Sequence, residues 1–279
     1  MDLLEPFQFT FFTNGLIVAT LAGALCGLVG VFVVLRGMSY IGHGLSHAIF
    51  GGAVASYLLS INFYLGAGVW GIVSTLLISG VSRRRSIGAD AAIGVITTAS
   101  FAIGLVLISR YDSFTRNFEA ALFGNVLGVT ATDIYVLAGV TAFAGAAIFL
   151  RYRALLFTTF DSSVADIFGI STARTDALLS LTLAATVIST MQILGVTLVA
   201  AALVIPTVIA RMLTNSFSHV VVFSTAIGAA SGFVGMNASY HLDVSSGATI
   251  VLVSAFVFAV VFLATSRTRG RTHAPARTS

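Results

Sequence analysis

Lysine is absent from the 279 residues, and its absence excludes chemistry as well as a charge. Without it there is no phosphate-gripping GxxxxGK[ST] loop and no Schiff base of the retinal or pyridoxal kind. If this chain works with ATP, another chain must bind the nucleotide. Charge of either sign is scarce, with only 9% of residues being Asp, Glu, Lys or Arg, against about 25% in a soluble globular domain. Because 57% of residues are hydrophobic, a water-soluble fold of this size is excluded. The single cysteine, Cys26, rules out an internal disulfide and a CxxC site. The first dozen residues carry Asp2 and Glu5 and no basic residue. They lack the charged start of a cleavable secretory signal, so the mature chain is expected to begin at or near Met1.

What is present in quantity is apolar sequence in long runs. A helix that crosses a bilayer needs about 20 mainly apolar residues, and nine segments meet or approach this: 14–35, 44–60, 65–81, 91–109, 133–150, 177–192, 195–213, 220–235 and 248–265. The 14 arginines lie between them, and cytoplasmic loops carry the excess of positive charge. With Arg36 inside, every other arginine except Arg110 and Arg116 also falls inside. The net charge of +4 is therefore a topology signal and not a nucleic-acid surface. The expectation is an all-α polytopic membrane protein of nine spans, with the N-terminus outside and the C-terminus in the cytoplasm. Eight spans result if the short segment around Gln192 or the polar stretch 36–47 is re-entrant. Residues 1–265 form the membrane domain, and 266–279 are read as a basic, disordered tail. The 27 glycines are spread through the apolar runs, which suits close helix packing in lipid.

Ionisable groups at membrane depth are costly and are candidates for function. His43 and His47 stand four residues apart in MSYIGHGLSHAIFGG, so on a helix both imidazoles share one face, one turn apart. A metalloprotease HExxH site is excluded because Gly44 occupies the position of the general base. Bis-histidine haem ligation needs ligands on opposite faces of the ring, which neighbours on one helix cannot supply. Hydrogen bonding to adjacent helices and transient metal binding both remain. His241, beside Tyr240 and Asp243, is either a solvated loop residue or an aid to cation entry. Pro206 frees a carbonyl one turn earlier, serving either a gating kink or packing. Gln192 either hydrogen-bonds across helices or lines a path. In the stretch 161–170, Asp161 suits an N-cap and Gly169 a helix end. Val164, Ala165, Ile167 and Phe168 supply an apolar side. This segment either lies on the membrane surface or docks a cytoplasmic partner. No pairing of nucleophile and base stands out, so no enzymatic activity is expected of the chain.

Four stretches carry a resemblance across nearly the whole chain: VFVVLRGMSYIGHGLSHAIFGG at 31–52, ALFGNVLGVTATD at 121–133, LLFTTFDSSVADIFGI at 155–170 and ILGVTLVAAALVIPTVIARMLT at 193–214. In these the sequence resembles the permease subunits of ABC importers for zinc, manganese and iron. The resemblance implies a pair of permease chains in a prokaryotic plasma membrane, two ATPase chains beneath them and an extracytoplasmic metal-binding protein. No tightly bound cofactor is implied, since the divalent ion is cargo. The stretch from Phe160 is similar to the family's coupling helix, which would place Asp161, Ala165 and Gly169 at the ATPase contact. The family's metal-handling pattern on the second helix is Asp-x-x-x-His. Here His47 matches the histidine, and His43 stands where the family more often has aspartate. That departure removes a hard oxygen ligand and supplies a softer nitrogen, favouring zinc or iron over manganese. An ATP-independent secondary transporter is the alternative. It would need proton-relaying carboxylates within the spans, whereas Asp90, Asp133 and Asp176 lie at span ends.

Overall fold

A computed structural model describes residues 5–82, 89–110 and 124–271, and among them there is no β-strand. After a 3-10 turn, Glu5–Gln8, come α1 (Thr10–Leu35), α2 (Ser39–Leu58), α3 (Phe63–Ser82) and α4 (Ala89–Arg110). A second 3-10 turn, Val126–Gly128, precedes α5 (Ala131–Leu150) and the two short helices α6 (Tyr152–Phe160) and α7 (Ser162–Ile167). The chain then runs through α8 (Thr172–Leu194), α9 (Val199–Leu213), α10 (Phe217–Leu242) and α11 (Ser246–Arg271).

Among the described residues six helices are long and apolar enough to cross a membrane: α1, most of α4, α5, α8, α10 and most of α11. Phe63–Ile78 of α3 and all of α9 are shorter apolar helices. The chain is thus a polytopic α-helical membrane protein. Helices apolar all round are those of a membrane or a deep core, and here large side chains such as Leu76, Phe149, Leu252 and Phe256 point outward from the bundle. In water this would be a liability, but in lipid it is the solvent-matched surface.

α1 forms the axis of the bundle. It packs along α10 and also touches α5, α8 and α9, while α2, α3 and α4 form a second group that meets the rest through α8 and α9. Its residues Phe12, Leu25, Cys26, Val29, Phe32 and Val33 are fully buried. Lipid supplies no hydrophobic drive between helices, so backbone proximity must do the work. At Gly23 the approach is so close that a Cβ would lie 2.1 Å from the carbonyl oxygen of Gly228. A turn further along, the Ser224 hydroxyl donates to the Gly27 carbonyl at 2.6 Å and pairs with the Thr207 hydroxyl at 2.8 Å, tying α1, α9 and α10 together.

The boundaries depart from the sequence expectation in several places; the segment expected at 220–235 is a helix over Phe217–Leu242, so His241, expected in a loop, lies in its last turn. The segment expected from 195 becomes helical only at Val199, because Gly195 adopts φ +84° and ends α8. A separate helix, α6, precedes the expected cytoplasmic segment, and that segment is helical over Ser162–Ile167 only. α11 runs to Arg271, and the rest of the basic tail, 272–279, lies outside the described residues.

Candidate functional site

The histidine pair sits on α2, in a narrow slot between α3 and α4. A Cβ at Gly51 would lie 2.4 Å from the Ser100 carbonyl oxygen of α4, and one at Gly52 would lie 2.2 Å from the Trp70 Cβ of α3. Small residues here bring the helix close enough to α4 for the partly buried His47 ring to lie 5.0 Å from that of Phe101. Phe50, one turn on, meets the other side of that contact, also at 5.0 Å from Phe101. His43 occupies the preceding turn of α2, and its side chain lies outside the described residues. Among the described residues no group of three or more His, Cys, Asp and Glu side chains converges as a metal cage.

The segment around α7 is built as a capped arm. The Asp161 carboxylate accepts from the backbone N–H groups of Ser163 at 2.9 Å and Val164 at 3.1 Å, which otherwise have no helical partner. Gly169, at φ +72° with open space around its Cα, closes the segment. Ala165 is buried against the body of the protein. The apolar side anticipated from the sequence is only partly covered by this chain: Val164 is half-buried, whereas Ile167 is 82% exposed and Phe168, stacked on Phe157 at 5.5 Å, 68% exposed.

At the opposite end of the bundle, three elements meet through polar side chains. The Tyr64 hydroxyl at the start of α3 donates to Asp133 at 2.5 Å and lies 3.4 Å from Oε1 of Gln192 in the last turn of α8. Asp133 also accepts from the Thr130 backbone N–H at 2.8 Å, completing a capping box at the start of α5. The Asn125 backbone N–H donates to the Gln192 carbonyl at 3.0 Å. Gln192 thus ties α8 to the segment before α5 through its backbone carbonyl, with its side chain beside Tyr64 of α3. Of the other candidates, Pro206 is buried within α9, and His241 stands in the last turn of α10 with its ring edge-on to Tyr240 at 5.6 Å.

Two groupings were not legible as such in the sequence. Tyr64 carried no signal, although the Thr130-x-x-Asp133 capping box was readable in principle. Arg36, read as a topology marker, is the centre of a cluster: its guanidinium pairs with Asp176 at 2.5 Å and donates to the hydroxyls of Thr158 at 2.7 Å and Thr159 at 3.1 Å.

Residues 8–265, nearly the whole of this architecture, match the family described as "ABC 3 transport family". The chain belongs to this family. Among curated relatives, the manganese transport system membrane protein MntC of Halalkalibacterium halodurans is 37% identical over 91% of this chain and 87% of its own length. A Haemophilus influenzae protein named "Probable iron transport system membrane protein" is 37% identical over 96% of this chain and 98% of its own. A solved structure, PsaBC from Streptococcus pneumoniae in complex with Fab, superposes with a TM-score of 0.86 at 33% identity, covering 94% of both chains. This ABC 3 family chain is therefore similar to transport-system membrane proteins over more than nine-tenths of its length.

Proposed function

We propose that this chain is the membrane-spanning permease of an ATP-driven importer that moves a divalent transition-metal ion into a prokaryotic cytoplasm, with ATP hydrolysed by a separate chain. What carries the reading is the family match over residues 8–265 together with relatives named for manganese and iron transport. The bundle is read as nine spans, with the N-terminus outside and the arginine-rich tail inside. It pairs with a second copy, receives its ion from an extracytoplasmic binding protein, and rests on two ATPase chains.

The chemistry follows from the cost of carrying a charge through hydrocarbon, on the order of tens of kcal/mol for a bare ion before compensation. His43 and His47 supply substitute ligands partway across, and protons compete with metal for the same nitrogens. With no carboxylate in the pair, the ion is held loosely enough to leave. The histidine at 43 pulls preference toward iron and zinc and away from manganese. On the cytoplasmic side, Asp161, Ala165 and Gly169 shape the segment that contacts the ATPase, with Ile167 and Phe168 as its exposed apolar tip. Pro206, Gln192 and His241 belong to gating or entry.

The deciding experiment is uptake into proteoliposomes by the complete complex, with ferrous, manganous and zinc ions in competition. Uptake that requires ATP and the ATPase chain is the expected result. Accumulation by the permease alone would overturn the proposal in favour of a secondary transporter.

A further inference from the structure

Arg36 lies at the C-terminal end of α1, where an arginine acting only as a topology signal would be free in water or among lipid headgroups. Its side chain is instead only 10% exposed. Each of its three nitrogens has a partner: Nη1 meets Asp176 in the second turn of α8, while Nη2 and Nε donate to Thr158 and Thr159 in the last turn of α6. The planar fork of a guanidinium is what allows one side chain to hold three acceptors on two elements. The polarity of the cluster is consistent, because the Thr158 hydroxyl spends its own hydrogen on the Ala154 carbonyl at 2.9 Å and turns its lone pairs to the cation.

The position of this cluster in the chain matters as much as its bonds. Thr158 and Thr159 immediately precede Phe160 and the Asp161 cap, so the guanidinium grips the root of α7. On the other side, Arg36 is joined to α2 by a stiff turn. Gly37, at φ +68°, donates to the Val34 carbonyl and Met38 to that of Val33, closing the end of α1 in the Schellman manner. Ser39 then begins α2, and His47 lies about 12 Å along it at 1.5 Å per residue. Beneath the cluster, Phe217 packs edge-on against Phe32 of α1 at 5.8 Å and Phe160 of α6 at 5.9 Å. Little in this corner can yield independently.

We propose that Arg36 is a positioning residue that locks the end of α6, the start of α8 and the root of α2 into one unit, so that displacement of α7 by the ATPase reaches the helix bearing His43 and His47. The inference rests on the importer reading above. Without the fork, α7 still docks and ATP is still hydrolysed, but the stroke dissipates between α6 and α2.

The test reconstitutes the permease with its ATPase and binding protein in liposomes and reads ions delivered per ATP hydrolysed, with Mn²⁺ and Fe²⁺ as probes. Arg36→Ala is expected to lower that ratio at least tenfold while copurified ATPase stays at the wild-type level. Asp176→Asn and the shape-conserving pair Thr158→Val with Thr159→Val lower it several-fold. Arg36→Lys, a point charge without the fork, restores only part. The double valine variant keeps the packing and decides the matter if Arg36→Ala does not assemble. An unchanged ratio in the variants overturns the positioning role while leaving the importer reading intact. Failure of the wild-type complex to deliver metal with ATP overturns the importer reading itself.

Discussion

Replacing Asp161 by alanine removes one carboxylate from an exposed site and leaves the apolar tip of α7 untouched, which makes its effect calculable. The two N–H groups it serves, those of Ser163 and Val164, turn to water when the acceptor is lost, so the penalty is that of an N-cap and not of a buried orphan. Such caps are worth about 1 kcal/mol. A six-residue helix such as α7 is far below the length that persists on its own, so its formation depends on cap and docking together. A loss of about 1 kcal/mol corresponds to roughly a fivefold fall in the equilibrium constant for forming and docking α7, given that about 1.4 kcal/mol is a factor of ten. The dissociation constant of the permease for its ATPase is therefore expected to rise about fivefold in Asp161→Ala, measured by titrating ATPase onto permease in nanodiscs. Asp161→Asn, an equally good cap, should bind as the wild type does. If alanine binds normally, the cap does not organise the docking segment. If asparagine is as weak as alanine, the carboxylate acts through its charge and the capping argument is wrong.

The remaining predictions concern packing and the ion path. Gly23→Ala should force α1 and α10 apart by about 1 Å, since its Cβ would lie 2.1 Å from the Gly228 oxygen. Overpacking of this kind costs about 1–3 kcal/mol, visible as a lower thermal midpoint in detergent, and an unshifted midpoint would contradict the close approach. Tyr64→Phe should cost about 1 kcal/mol, the worth of one hydrogen bond. Asp133→Asn should cost more, because it also weakens the Thr130 capping box. Thermal melts in which Tyr64→Phe is the worse of the two would remove Asp133 from the centre of that cluster. His43→Ala and His47→Ala should each reduce metal uptake about tenfold or more, the scale on which metal sites respond to altered ligation, with the ATPase still copurifying. Native uptake in the double variant would take the ion away from this pair.

Much of the architecture was legible because membrane helices announce themselves by composition. Runs such as 14–35 and 133–150 coincide with α1 and α5 to within a few residues. The Asp161 cap and the Gly169 end were readable as well, since both depend on neighbours in sequence. What could not be read was anything set by distant partners. Gln192 gave no hint that its partner is Tyr64, 128 positions away. The helix α6 escaped notice because nothing in YRALLFTTF sets it apart from the flanking turns. The apolar side of 164–168 was readable, but not its division into a buried Ala165 and exposed Ile167 and Phe168, since burial depends on whether another element arrives to cover a residue.

By itself the sequence determined the solvent of this protein, its helical class and its dependence on another chain for ATP. Those follow from composition: scarce charge and long apolar runs leave helices as the way to satisfy a backbone in lipid, and a chain without lysine has no P-loop to offer. The tertiary structure alone decided which helix is the axis and which arginine is held in a cluster of partners. Twelve arginines looked alike as markers of the cytoplasmic face. Only the folding of α6 and α8 against the end of α1 placed two threonines and a carboxylate around Arg36, because a guanidinium's partners are fixed by three-dimensional approach and not by spacing along the chain.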